Sequence, residues 1–128
     1  MKDQELHTEI AGIVRRAGSL APALHEIRSL IAREFGAALL VVRPSASGST
    51  LPANIVSEFL ESREFPVRAL YTAPVKAEGR EAGTLVACIG TWGTSGDILR
   101  RITTFAGEQL AALLRRLPAQ SLVYTEAA

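Results

Sequence analysis

After Gly83 the chain runs TLVACI, six residues whose side chains carry only one hydroxyl and one thiol among their carbons. A strand with one face in water alternates apolar with polar residues. This one does not, so both of its faces should be covered. Upstream, Glu78 to Glu81 (EGRE) read as a turn, and VRALYTAPVKA before them reads as a second strand. A turn of this length makes the two strands an antiparallel hairpin. Any fold for this chain must therefore place a layer on each side of that hairpin's second strand.

At 128 residues, 48% hydrophobic and 21% charged, the chain suits one globular domain. A domain of this size buries roughly two thirds of the surface its unfolded chain exposes. The net charge is +1, and the arginines come as scattered pairs (Arg15-Arg16, Arg100-Arg101, Arg115-Arg116) with glutamates between them. Nucleic acid is not an expected partner, because its binding relies on a concentrated basic surface. Lysine occurs only at Lys2 and Lys76, a usage that suggests a GC-rich bacterial gene. The single cysteine, Cys88, excludes an internal disulfide and a cysteine-based zinc site, and a reducing cytoplasm is the expected location. No apolar run approaches the roughly 20 residues of a membrane span, and MKDQELHTEI has no hydrophobic signal core. No membrane partner is expected.

Between residues 3 and 17, Leu6, Ile10, Ile13, Val14 and Ala17 recur at helical spacing. This predicts a first helix closed by Gly18. Ser19 is placed to cap a second helix with the stripe Leu20, Leu24, Ile27, Ile31 and Phe35, ended by Gly36. AALLVVRP, residues 37–44, reads as a strand buried on both faces. SASGST then forms a loop, and the segment after it holds a short helix stopped by Pro66. In the strand over 67–77, Pro74 points to an edge or a bulge. The last helix runs over 97–117, with Asp97 at its positive end and Arg115 and Arg116 at its negative end. Pro118 ends it, and residues 119–128 form a tail. The order predicts an α+β fold, an antiparallel sheet with the N- and C-terminal helices on one face.

Three stretches together resemble a GAF domain. SLAPALHEIRSLIAREFGAALLVV is similar to the family's opening helix and first strand, APVKAEGREAGTLVACIG to its central hairpin, and DILRRITTFAGEQLAALLRRL to its closing helix. The resemblance spans residues 19–117 and implies a GAF-like (profilin-like) sandwich over 19–118; the N-terminal helix, 1–18, precedes it and is expected from its apolar stripe to serve dimerisation. It also implies that the second sheet face holds a small ligand or a lid, here residues 45–66, with Ile55 and Phe59 as plugs. The connection after the first strand is short for the family. The Asn-Lys, Phe, Asp-Glu signature of its cyclic-nucleotide binders is absent, and Cys88 has no histidine beside it to hold a bilin. No cofactor is carried over.

The function implied is a non-enzymatic sensory or regulatory module that binds a small molecule or partner and signals through its terminal helices. The alternative is a ligand-free dimerisation or scaffold module of the same fold. Phe59, Tyr71 and Trp92 are the candidate ligand-binding residues, Tyr71 because Ala69 and Ala73 leave room beside it. No catalytic or metal-binding residue is assigned. Cys88 reads as a packing residue between sheet and helices, and His7 and His25 as solvated surface histidines. Glu58, Glu61 and Glu64 form a solvated face, and the glycines at 90, 93 and 96 a turn that lacks the lysine and spacing of a phosphate loop. The final helix has an apolar arc wider than one sheet contact needs, and the first helix repeats the pattern. Surplus apolar surface predicts a homodimer through a bundle of the two.

Overall fold

The computed structural model describes residues 2–42, 67–77, 80–90 and 96–117. The chain forms α1 (Asp3–Arg16), α2 (Leu20–Phe35), β1 (Ala37–Val42), β2 (Val67–Ala77), β3 (Arg80–Gly90) and α3 (Gly96–Arg116). The described residues make an α+β fold with three helices and a three-stranded antiparallel sheet ordered β1-β3-β2. The expected lid at 45–66, the tail at 119–128, Phe59 and Trp92 lie outside the described residues.

The apolar strand β3 is the central one. Leu39 pairs with Ala87 on one side of it, and Tyr71 pairs with the same Ala87 on the other. β2 is an outer strand of the described sheet, where a proline without an N–H is tolerated. The β2–β3 register shifts at Val75/Lys76, next to Pro74. At the far edge, Arg28 of α2 donates through Nε to the Leu39 carbonyl of β1 at 3.1 Å, and burial lowers the pKa of its guanidinium.

The three described helices lie on one side of the sheet. Leu39, Ala73, Val75, Leu85 and Ala87 point into a single cluster with Ile27 and Ile31 of α2 and Leu99, Ile102, Ala106 and Leu110 of α3. Alternation along a strand puts every second residue on this side. α2 ends as expected at Gly36, whose φ of 63° and ψ of 28° are left-handed and whose N–H reaches the Ala32 carbonyl at 2.9 Å.

The end of α1 differs from expectation. Its cap residue is Ala17, in extended backbone, and Gly18 does not adopt a positive φ. The reason lies in α3: Arg116 Nη2 donates to the carbonyls of Val14 at 3.0 Å and Ala17 at 2.8 Å. A side chain from another helix supplies the donor that a left-handed turn would have supplied.

The first helix, expected to stand apart as a dimerisation segment, packs into this same core. Leu6, Ile10, Ile13 and Val14 are 0–4% exposed and belong to the cluster that includes α2 and α3. The wide arc of α3 is used up in the same way. One side covers the sheet and the other takes α1, leaving Ile98, Phe105 and Leu117 only partly exposed at its margins. Each buried aliphatic side chain is worth about 1.5–3 kcal/mol relative to exposure. Leu6, Ile10, Ile13 and Val14, on which the expected homodimer bundle rests, are thus buried within one protomer.

Candidate functional site

Leu85 and Ala87 of β3 face the helices, so Thr84, Val86 and Cys88 face the other way. Among the described residues no element lies over that second face. Val86 and Cys88 are nonetheless only 2% and 1% exposed. Cys88 is buried as expected, but on the side opposite the helices: the parity of its position, not its apolarity, decides which layer it meets. Its neighbours across the strands are Ala38 and Leu70 in register, with Leu40 and Thr72 opposite Val86. Thr72 is exposed and Leu40 half-buried.

Tyr71 lies on the helix side, with Ala73 and Val75, and packs partly buried against the core. The room that small neighbours leave beside it is taken by the start of α3. A Cβ built on Gly96 would overlap the Tyr71 hydroxyl. The structure therefore does not place Tyr71 on the second face. Phe59 and Trp92, its expected companions, lie outside the described residues.

A groove of about 380 Å³ runs between β2 and α3. Its apolar lining includes Ala73, Gly107 and Ala111, and Lys76, Glu108 and Arg115 are among its polar residues. Sequence reasoning missed it. Thr104, Glu108 and Arg115 follow one another at helical spacing on α3, but nothing in the sequence ties that stripe to Lys76 on a strand. All three charged groups of the groove are exposed.

α1 and α3 run parallel and are joined by polar contacts at both ends. At their starts, Asp3 Oδ2 accepts from Arg101 Nε at 3.2 Å and from Nη2 at 3.0 Å. At their ends stands the Arg116 pair of bonds to α1 carbonyls. His7 is not the solvated histidine expected. Its Nδ1 lies 2.9 Å from the Asp3 carbonyl oxygen and 3.2 Å from Asp3 Oδ1, and its ring meets that of Phe105 at a tilt, with centroids 4.5 Å apart and planes at 53°. Both neighbours of Nδ1 are acceptors, so that nitrogen carries a proton. Asp3 Oδ1 is buried and accepts no hydrogen bond, which places the N–H on the carbonyl. His25 is exposed on α2. The His7 ring contact with Phe105 ties α1 to α3.

Among the described residues no group of three or more His, Cys, Asp or Glu side chains could hold a metal ion, and no helix is long and apolar enough to cross a membrane. Compared with models of known protein families, with curated proteins and with solved structures, the chain finds no match.

Proposed function

We propose that this chain is a non-enzymatic sensory or regulatory module of the GAF-like type, which binds a small molecule or partner at the second sheet face and passes the change on through α1 and α3. The observation that carries the reading is the burial of Val86 and Cys88, at 2% and 1% exposure, on the face that the helices leave open. A central strand covered on both sides needs a second layer, and in a GAF-like sandwich that layer is where a ligand or lid resides. The helix arrangement supports the transmission step. α3 lies over β2 and β3, and α1 is tied to α3 at both ends, so a shift of the hairpin moves the two helices as a pair.

One observation favours a second reading. Three described strands make a small sheet for a GAF sandwich, which suits a ligand-free scaffold or dimerisation module of that fold. The two readings separate in one experiment. Thermal-shift screening against nucleotides, amino acids and small metabolites, with Cys88 labelling as a second readout, should find a compound that both raises Tm and slows labelling of the thiol. A panel that does neither defeats the sensory reading and leaves the scaffold.

A further inference from the structure

The outward face of α1 carries a residue that its own chain does not need. Gly12 stands in the middle of the helix, and a Cβ added there would meet only Arg16 Nη1, 3.1 Å away, the end of a flexible side chain. Glycine is the least favourable residue for a helix interior apart from proline, so its presence calls for a close approach from outside. Around it, positions 5, 9, 12 and 16 form one stripe of the helical period, reading Glu, Glu, Gly, Arg, with Arg15 alongside. Glu5, Glu9, Arg15 and Arg16 are exposed, and none has an ion-pair partner among the described residues.

We propose that this face docks against α1 of a second copy of the chain, the two helices crossing antiparallel about a two-fold axis at Gly12. A two-fold contact must be self-complementary, each residue meeting on the partner the residue that meets it in return. An axis at position 12 exchanges positions 9 and 15, so Glu9 of each copy faces Arg15 of the other, and Thr8 faces Arg16. A parallel crossing would set acid against acid and base against base. An acid three residues before the central glycine and a base three residues after it, Glu9 and Arg15, are what select a second copy over a partner of one charge. Glycine at the crossing point lets the backbones approach closely. Beside it, a groove of about 270 Å³ between α1 and α3, lined by Ala11, Val14, Gln109 and Ala112 among others, gives the second helix room on its flank. This contact replaces the apolar bundle expected from the sequence, whose residues Ile10 and Ile13 are buried within the protomer. It holds whether or not the sheet binds a ligand.

Because the pairs are exposed, the association is weak and salt-sensitive. Sedimentation equilibrium of the full chain at low salt should show a monomer–dimer equilibrium that shifts to monomer as salt rises. Glu9→Arg should weaken it by about tenfold or more, and the exchange Glu9→Arg with Arg15→Glu should restore it. Independently, Gly12→Cys should give a disulfide-linked dimer under mild oxidation, because the axis brings the two Cα atoms within the reach of about 7 Å that a disulfide allows. Cys88, 1% exposed, does not compete, and Glu108→Cys on the far side of α3 should stay monomeric. A wild type that is monomeric at hundreds of micromolar in low salt, a Gly12→Cys chain that does not cross-link, or a Glu9→Arg chain that associates as well as wild type overturns the proposal.

Discussion

Gly107 of α3 lies against the Pro74 carbonyl of β2, so close that a Cβ built at position 107 would stand 3.3 Å from the oxygen and 3.5 Å from Ala73 Cβ. The helix rests on the sheet at this point because the residue has no side chain. Gly107 is buried, whereas Gly12 of α1 faces outward with only a mobile arginine nearby.

The same substitution should therefore have opposite signs at the two glycines. Alanine is better than glycine in a helix by about 1 kcal/mol. At Gly12 nothing opposes that gain, and Gly12→Ala should stabilise the monomer by about 0.5–1 kcal/mol. At Gly107 the obstacle is backbone, which cannot turn aside, and overpacking costs about 1–3 kcal/mol. Gly107→Ala should be destabilising on balance, and Gly107→Val strongly so. Urea denaturation at micromolar protein, comparing midpoints, checks both; equal signs would show that α3 does not press on β2 as described.

Ile10 is fully buried between α1 and the rest of the core. Ile10→Ala should cost about 2–5 kcal/mol, a large part of the total stability of a small domain. Ile10→Glu should leave the chain unfolded by far-UV circular dichroism. A glutamate variant that stays folded and merely changes its oligomeric state would mean that α1 packs on another chain.

The two polar ties between α1 and α3 should respond differently to salt. Arg116 donates to two backbone carbonyls, and Arg116→Ala should cost about 1 kcal/mol with little salt dependence. Arg101 and Asp3 form an ion pair that is half exposed, 52% and 36%. Arg101→Ala should cost at most about 1 kcal/mol, a loss that shrinks as salt rises. Chemical denaturation at low and high salt separates them.

Cys88 should react slowly with a bulky thiol reagent in the native state and rapidly in denaturant, since it is 1% exposed. Cys88→Ala should cost about 1 kcal/mol through lost packing. Rapid native labelling would show that the second sheet face is open.

What the sequence determined by itself was the type and approximate place of the described local elements. The helical stripe through Leu20, Leu24, Ile27, Ile31 and Phe35 marked α2, and Gly36 marked its end because only a residue without Cβ enters the left-handed region freely. The unbroken apolar run TLVACI marked β3 as a strand covered on both sides, which its central place in the sheet and the burial of Leu85, Val86, Ala87 and Cys88 bear out. These features depend on neighbours a few residues apart, and period and turn chemistry record them. What an apolar stripe does not record is the surface it will meet. The stripe on α1 reads from the sequence as a dimer contact, and the fold, by laying α3 beside it with Arg101 on Asp3 and Arg116 on the carbonyls of Val14 and Ala17, packs it in the core of its own chain. In the same way Cys88 was legible as buried, but its layer was not. Hydrophobic burial is non-directional, so it says that a residue goes inside and leaves to the tertiary arrangement which neighbours it finds there.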